Sequence, residues 1–388
     1  MKIVHVSNFS IRKEGRFVFG IPYKLTQGLA RLDHFVFNFS DRDVAASSIL
    51  RARWLGAGHA NRQLIRICKE LRPDLLLLGH CCLITPETVN AIRDAVRGIR
   101  IVHWNCDALF IPDNFERLAE LAPLVDLTLV TTAGEYQREL AEKGGRVSYM
   151  PNPVDRSIED LQVFKKDVVP NDLIFLAGDH SYNSQRSLLC EQVRNAIPSL
   201  KFDVRGILGQ PRAYGADFFA ALGNAKMGLN ISARNDINLY SSDRLVQTIG
   251  CGLLTFADRA TGFGALFRDD ELVTYEGVGD LIDKLIYYNS HDAVRRDCAR
   301  RGWKRAHRYF NSTLVAQWIL DAVFDSKPSR YYAWPTEILR AMGADTVKDL
   351  HADPTWRAIP DYVRSQRAES CSSFSVRTDL SSVRVTRG

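Results

Sequence analysis

Four consecutive polar residues, Ser241 to Arg244, precede the apolar spacing Leu245, Val246 and Ile249 of a short predicted helix. Serine and aspartate favour the position before a helix, where free backbone N–H groups and the helix dipole hold anions. Arg244 adds a cation in the first turn, where the dipole does not favour one. An anion such as a phosphate or a carboxylate is therefore expected beside it. An ordinary capped helix between two strands would show the same residues, and that alternative stays open.

Three carboxylates near this segment have the chemistry of a nucleophile or of a group that orients a sugar. Asp243 stands inside it, Asp236 lies in the preceding polar loop, and Glu159 follows the proline-rich segment Met150–Asp155. A carboxylate can attack an anomeric carbon and form a covalent intermediate. Each also has a structural interpretation, because an aspartate at a helix start is commonly a cap and Glu159 fits a capping box.

The elements that position these residues are strands and helices in alternation along the chain. Such alternation predicts an α/β fold of βαβ units, with helices on both faces of parallel sheets. Met150–Asp155 holds two prolines around an asparagine, which neither a helix nor a central strand accommodates, so we place a hinge there. The predicted parts are Rossmann-like domains at 1–150 and 151–325, an irregular extension at 326–365 and a disordered tail at 366–388.

Polar residues that follow strands are the remaining candidates, because ligands of open α/β sheets bind outside the carboxyl ends of the strands. In the second half they are Gly178, His180, Ser232 and Arg234, with Asn152 of the hinge; in the first half they are Asn8, Lys13, His80, Trp104 and Asp107. His80 or Asp107 can act as a general base toward a hydroxyl group, and Trp104 can stack on a sugar face. Strand-end residues that only hydrogen-bond a loop would look the same.

Several other functions lack their sequence signatures. The chain has no G-x-G-x-x-G fingerprint and no G-x-x-x-x-G-K-[ST] loop, which removes the main support for a dehydrogenase or a P-loop enzyme. Its eight cysteines show no metal-ligand spacing, and several lie in apolar runs. Reduced thiols, a cytoplasmic location and no bound metal are therefore expected.

The net charge of +6 is concentrated in one helical stretch. Its basic residues are Arg295, Arg296, Arg300, Arg301, Lys304, Arg305 and Arg308. A solvated helix face explains them; the alternative is peripheral contact with an anionic inner membrane or a lipid-linked acceptor. Nucleic acid is not expected as a partner, because interleaved aromatic residues are missing. The start MKIVHVSNF has no signal-peptide features, and no apolar run is long enough to span a membrane.

The segment 228–256, with the proline hinge before it, resembles the GT-B glycosyltransferases and in particular their spore-protein-type group. The motifs that carry the resemblance are the strand Leu229–Ser232, the Arg-led helix Arg244–Ile249, the turn Gly250–Gly252 and the strand Leu253–Phe256. The resemblance covers nearly all of residues 1–325. It implies two Rossmann-like domains that face a cleft, with the acceptor on the first domain and a nucleotide-sugar donor on the second.

Three stretches look similar to the bacterial retaining β-Kdo transferases: Leu239–Arg244, Pro151–Glu159 and Asn38–Asp43. This resemblance implies a CMP-Kdo donor and an aspartate nucleophile, for which Asp243 is the first choice and Asp236 the second. Ser241, Ser242 and Arg244 would then hold the carboxylate or phosphate of the donor. Retaining GT-B enzymes with an E-x7-E motif carry their second glutamate where Gln247 stands here, which favours a donor other than a nucleoside-diphosphate hexose.

The sequence thus predicts a glycosyltransferase of surface-polysaccharide or glycolipid assembly that uses a nucleotide sugar, CMP-Kdo first, and no metal. Donor binding is assigned to Asn152, Gly178, His180, Ser232, Arg234, Ser241, Ser242 and Arg244, and the first-half candidates are assigned to the acceptor. Two alternatives remain. One is an inverting transferase with Asp107 or His80 as base, using a nucleoside-diphosphate sugar. The other is a binding protein that keeps the fold without the chemistry.

Overall fold

The computed structural model of the chain describes residues 1–47, 53–178, 184–325 and 327–341. His180, the predicted tail at 366–388 and most of the predicted extension at 326–365 lie outside these residues. The described part forms one compact unit built on two β-sheets. The predicted α/β fold with two parallel sheets is therefore confirmed.

The first sheet and its helices come mainly from the first half of the chain. Its strands are β1 (Lys2–Ser7), β2 (Phe35–Ser40), β3 (Leu75–Gly79), β4 (Arg100–Asn105), β5 (Leu127–Val130), β6 (Val147–Tyr149) and β12 (Ile338–Leu339). Its helices are α1 (Ile21–Ala30), α2 (Asp41–Ala46), α3 (Arg53–Leu71), α4 (Pro86–Ala95), α5 (Pro112–Leu121) and α6 (Glu135–Glu142). The strand order is β12-β6-β5-β4-β3-β1-β2, and all pairs are parallel except β12 with β6. Every residue of β3 is buried, as its continuous apolar run predicts for a strand covered on both faces.

The second sheet comes from the second half of the chain and has five parallel strands. They are β7 (Asn171–Leu176), β8 (Phe202–Arg205), β9 (Ala225–Asn230), β10 (Leu254–Asp258) and β11 (Val273–Tyr275), in the order β11-β10-β9-β7-β8. Its helices are α7 (Ser184–Ala196), α8 (Gly215–Gly223), α9 (Arg244–Gly250), α10 (Gly277–Ser290) and α11 (Asp292–Tyr309).

The helix α12 (Ser312–Val323) returns from the second half to the first. It lies against α1 so closely that a Cβ atom on Gly28 would come within 2.2 Å of the Ser312 carbonyl oxygen. Only glycine permits that approach. The predicted boundary at residue 325 groups α12 with the second half, whereas its apolar side, including Val315 and Ile319, shares a core with Leu25 of α1.

Two elements were not predicted. The helix α2 follows β2 directly, with Asp41 and Asp43 in its first turn, where carboxylates are favoured. The strand β12 lies in the stretch that was predicted to be irregular, and it covers the edge of β6. A two-residue strand carries too little periodicity to be recognised in a sequence.

Candidate functional site

The loop 231–243 connects β9 to α9 at the carboxyl edge of the second sheet and reaches the first half of the chain. The Asn238 carbonyl oxygen accepts the Ala133 N–H at 3.0 Å. Tyr240 packs in a small apolar cluster with Ala108, which follows β4 of the first sheet. The loop therefore closes onto the carboxyl edge of the first sheet, where the predicted cleft lies.

Asp243 precedes α9 but does not cap it, since its backbone is helical and its side chain makes no hydrogen bond to the helix. The carboxyl group instead faces the backbone N–H of Ile21, at the start of α1 in the first half. Its Oδ1 atom is shielded from solvent and has no hydrogen-bond partner in the described part of the chain. Burial raises the pKa of Asp243, and the positive charge of Lys24 opposes that rise. The capping interpretation fails, and the carboxyl group lies between the two halves.

Glu159 is not accessible to a ligand, which corrects its assignment as a candidate nucleophile. Its side chain is fully buried, with Oε1 2.5 Å from the Lys24 ammonium nitrogen. Its Oε2 accepts the Asp155 N–H at 2.8 Å, which is the capping role that the sequence also allowed. Burial raises the pKa of Glu159 to about 7 against the attraction of Lys24. The pair ties α1 to the hinge segment.

Arg244 is also buried, and much of its guanidinium is used by the protein. Its Nε donates to the Leu176 carbonyl oxygen at the end of β7, and Nη1 donates to the Ile231 carbonyl oxygen at 2.9 Å. The guanidinium lies over the Phe175 ring, 4.5 Å from its centroid. Because α9 has only seven residues and Arg244 holds strand ends together, the predicted anion at this helix start must depend on other side chains as well.

Arg186, in the first turn of α7, is a site residue that the sequence analysis missed. Its side chain is 8% exposed, and Nε has no hydrogen-bond partner among the described residues. Burial, together with the neighbouring charge of Arg186, lowers the pKa of Arg244 to about 9. Within 1–47, 53–178, 184–325 and 327–341, neither guanidinium forms an ion pair with a carboxylate. A lone arginine in a helix has no sequence signal; only the fold brings it beside Arg244.

The small polar residues around the loop make hydrogen bonds within the protein. Asn152 donates its amide to the Ser241 carbonyl oxygen at 3.1 Å, and the Ser241 hydroxyl donates to the Ser242 carbonyl oxygen at 2.6 Å. The Ser232 N–H donates to the Asn235 amide oxygen at 2.9 Å. Two buried polar atoms in this group have no partner in the described chain, the Asn152 amide oxygen and the Ser242 hydroxyl.

The outer part of the loop is open to solvent. Arg234 donates from Nε to an Asp236 oxygen at 3.0 Å, and its guanidinium lies over the Phe110 ring of the first half. The Asp236 side chain is 61% exposed, so it meets solvent rather than an enclosed ligand. Gly178 lies two residues after the end of β7, next to residues that are not described, and the predicted role of His180 stays untested.

His80, Asp107, Arg42 and Arg117 form a half-open cluster at the carboxyl ends of β2, β3 and β4, which we call the acceptor-side corner. His80 Nδ1 lies 3.1 Å from Asp107 Oδ2, with side chains 31% and 29% exposed. Arg42 approaches His80 Nε2 at 3.5 Å, and Arg117 lies 3.8 Å from the Asp107 carboxylate. Although burial opposes it, the contact with His80 and the charges of both arginines lower the pKa of Asp107. His80 has a φ of 42°, an uncommon backbone conformation for a non-glycine residue.

Trp104 cannot stack on a sugar, which corrects its assignment to the acceptor. Its side chain is fully buried, and the indole lies so close to Gly79 that a Cβ atom there would come within 1.8 Å of the ring. Its Nε1 donates to His5 Nε2 at 3.3 Å. The end of β4, where the sequence predicts an indole ring exposed to a sugar, is part of the core.

The first connection after β1 crosses toward the second sheet. Lys13 is exposed on a short turn of this connection, and Asn8 accepts a hydrogen bond from the Ser10 hydroxyl at 3.0 Å. Farther along, Phe19 stacks on Phe218 of α8 with ring centroids 4.0 Å apart. The connection therefore packs against both halves, and the ligand contact proposed for the exposed Lys13 stays a prediction.

One group of side chains among the described residues has the composition of a metal site. The ligand atoms of His80, Cys106 and Asp107 all lie within 4.8 Å of one another. Arg117 and Arg42 adjoin the same groups, and a cation placed there would be repelled by both guanidiniums. Burial raises the pKa of the Cys106 thiol, with the nearby carboxylates adding to the rise. These neighbours fit proton transfer and anion binding better than a metal.

The basic stretch, predicted to be a solvated face with membrane contact as the alternative, is the helix α11, and most of its arginines form ion pairs. Arg296 pairs with Asp292, Arg300 with Asp297, and Arg305 with Glu271. Such pairing favours the interpretation as a solvated helix face. Within the described ranges, no helix combines the length and apolar character needed to cross a bilayer.

Comparison with known proteins supports the fold and gives a direction for the function. Residues 185–321 match a family model described as glycosyl transferase-like. No curated protein matches the sequence significantly.

Three solved structures illustrate the similarity of fold. HepE of Anabaena, solved with UDP and glucose, is 14% identical with a TM-score of 0.52, and the match covers 84% of this chain and all of HepE. Sucrose-phosphate synthase of Thermosynechococcus elongatus is 11% identical with a TM-score of 0.54, over 84% and 98% of the chains. AviGT4, a glycosyltransferase of avilamycin A biosynthesis, is 12% identical with a TM-score of 0.53, over 84% and 97%. The fold is that of the GT-B glycosyltransferases.

Proposed function

We propose that this chain is a glycosyltransferase that binds a nucleotide-sugar donor between its two sheets, with the donor phosphates beside Arg186 and Arg244. The observation that carries the proposal is the pair of buried guanidiniums without a carboxylate partner in the described chain. Both stand in the segment that matches the glycosyl transferase-like model. A buried charge is costly unless an opposite charge compensates it, and guanidinium groups recognise phosphate in a bidentate manner.

The experiment is a thermal-shift panel of UDP, UDP-glucose, CMP and CMP-Kdo, because a ligand that binds only the folded state raises its apparent stability. UDP-glucose belongs in the panel because HepE was solved with it, and CMP-Kdo because of the sequence resemblance. Stabilisation by one nucleotide and its sugar that disappears in Arg186→Gln supports the proposal. Arg194→Gln, which removes the same charge from the other end of α7, is the matched control. No response to any nucleotide would contradict the proposal.

We propose, as a second and separable step, that Asp243 is the carboxylate that reacts with the donor, giving net retention. The supporting observation is its partnerless Oδ1 atom between the two halves. Asp243 would attack the anomeric carbon, and the nucleotide would leave with the bonding electron pair. The acceptor hydroxyl would then give its proton to a base and attack the same carbon, and the bond to Asp243 would break with its electrons on the carboxylate. Intact-mass spectrometry with the donor from the panel tests this step. Full activity in Asp243→Ala would eliminate it without affecting donor binding.

A glycan or glycolipid of surface-polysaccharide assembly remains our proposal for the acceptor, and CMP-Kdo and UDP-hexoses are the two donor classes that the panel separates. Inversion, with His80 or Asp107 as the only catalytic base, is the alternative to retention. The anomeric configuration of the product, read by NMR, decides between them.

A further inference from the structure

We propose that the acceptor-side corner binds a sugar that carries an anionic group near the hydroxyl to be glycosylated, with Arg42 and Arg117 on the anion and His80 Nε2 on the hydroxyl. This inference rests on the proposed glycosyltransferase function and specifies its acceptor. A carboxylate or a phosphate on the sugar would serve equally, since both offer paired oxygens to a guanidinium.

The tautomer of His80 follows from its two neighbours. Arg42 can only donate hydrogen bonds, so the Nε2 atom that faces it carries the lone pair. The Asp107 carboxylate, whose pKa is lowered, can only accept, so the proton of the neutral ring stands on Nδ1. Asp107 thus fixes the ring with its basic nitrogen on the side of Arg42. A carboxylate that orients an imidazole in this way is a known arrangement for a histidine that acts as a general base.

The Arg42 guanidinium has no carboxylate partner in the acceptor-side corner. Arg42 is exposed and forms no ion pair in the described chain, and Arg117 shares Asp107 with His80 at the longer distance of 3.8 Å. The Asp41 carboxyl group is buried beneath the corner and forms no ion pair with either guanidinium in the described chain. Its oxygens accept the backbone N–H groups of Arg42 and Leu83. Arg42 is therefore left without a carboxylate contact in the described chain, and an anion from outside can take that place.

Because Arg42 blocks His80 Nε2, binding of the anion also prepares the reaction. In the structure its guanidinium lies on the Nε2 lone pair, the place that a reacting hydroxyl must occupy. An anionic group on the acceptor draws Arg42 aside and brings the neighbouring hydroxyl to Nε2. The hydroxyl proton then passes to Nε2, its oxygen forms the glycosidic bond with the freed electron pair, and the bond from the anomeric carbon to the leaving oxygen breaks with its electrons on that oxygen. A neutral sugar does not displace Arg42.

The probes are two matched pairs of sugars, methyl β-glucuronide against methyl β-glucoside and glucose 6-phosphate against glucose. They are titrated by calorimetry into the full chain saturated with the nucleotide that stabilises it most. We expect the anionic member of at least one pair to bind about tenfold tighter, since hydrogen bonds between charged groups are stronger than those between neutral groups. Arg42→Gln with Arg117→Gln should abolish the preference. Arg300→Gln, which removes a charge from α11, should preserve it.

The outcomes separate this inference from the function on which it rests. If no nucleotide stabilises the chain, the proposed transferase itself fails. If a nucleotide binds but charged and neutral sugars bind alike, or the preference survives loss of both arginines, only the acceptor inference is overturned. The chain could also bind phosphatidylglycerol vesicles through Arg42 and Arg117 and show no preference for the soluble anionic sugars. That result would overturn the acceptor inference and assign the corner to a bilayer surface.

A second measurement tests His80 without needing turnover. NMR of the histidine-labelled chain, with His80→Gln for assignment, should show the Nδ1-protonated tautomer of His80 in the wild type. Asp107→Asn should weaken that preference, while a merely structural role for Asp107 would leave the tautomer unchanged. An Nε2-protonated His80 in the wild type would contradict the proposed base.

Discussion

The two sheets end in polar edges of opposite kinds. At the second sheet, Arg186 and Arg244 are buried and have no carboxylate partner in the described chain. At the first sheet, His80 and Asp107 are about one-third exposed and pair with each other. A buried, uncompensated cation gains most from a fixed anion that excludes water, whereas a half-open pair can exchange protons with a substrate that comes and goes. The degree of burial, more than the charge, thus separates the proposed donor side from the acceptor side.

The largest effect should come from breaking the ion pair that holds the two edges in place. Lys24→Met leaves Glu159 buried without its cation, and we expect the free energy of unfolding to fall by about 3–5 kcal/mol, measured by urea denaturation. Adding Glu159→Gln to Lys24→Met should recover part of the loss, because the uncompensated charge is then removed. An unchanged stability in Lys24→Met would show that the pair does not connect α1 to the hinge energetically.

The next largest effect should come from changing Arg186 at the buried edge of the second sheet. Arg186→Gln should weaken nucleotide binding by about 30- to 100-fold, which corresponds to the loss of one charged hydrogen bond. The ligand-free protein should keep or gain stability, because an uncompensated buried charge is removed. Thermal melting with and without the best nucleotide of the panel measures both. A variant that loses stability in both states would place Arg186 in the core rather than in a ligand site.

Much of the fold was accessible from the sequence because its signals are local. The continuous apolar run of β3, the alternation of strands and helices and the prolines near residue 152 led to two parallel sheets. The candidates His80 and Asp107 were recognised for the same reason, since polar residues after strands meet at one edge. Their pairing at 3.1 Å agrees with that reasoning, while their catalytic roles stay proposals.

The parts that could not be predicted depend on contacts between distant segments. Trp104 follows the strand pattern of an exposed strand end, but Gly79 on the neighbouring strand gives its ring a place in the core. Arg244 was expected to meet a ligand, but two strand ends take its Nε and Nη1 donors, so the proposed phosphate site beside it also needs Arg186. The sequence allowed Glu159 to be either a nucleophile or a capping residue. Its ion pair with Lys24, which stands 135 residues earlier in the chain, favours the buried capping role. Arg186 belongs to the site only through the packing of α7.

Asp155 contrasts with Arg186, because the buried charge of Asp155 has its hydrogen-bond partners within the protein. Despite burial, hydrogen bonds from Arg31, Ser157 and Ser312 lower the pKa of Asp155 to about 2 from its ordinary 3.8. Because the folded pKa is the lower one, this stabilisation is complete above about pH 4 and is lost as the pH falls through 2. It amounts to about 2 kcal/mol. Asp155→Asn should therefore reduce the free energy of unfolding at pH 7 and flatten its dependence below pH 4, as measured by urea denaturation; a parallel pH curve in the variant would contradict the assignment.

The smallest effect should come from Arg300 of α11, which is exposed and paired. Arg300→Gln breaks a surface ion pair with Asp297, and such pairs typically contribute less than about 1 kcal/mol. We expect the unfolding free energy, the nucleotide-induced shift and the binding to phosphatidylglycerol vesicles all to stay close to the wild-type values. Because Asp297 also pairs with Arg301, that carboxylate keeps a cation in the variant. A marked loss of vesicle binding in Arg300→Gln would instead identify α11 as a membrane-facing surface, and it would show that exposure and charge can create a site on this protein without burial.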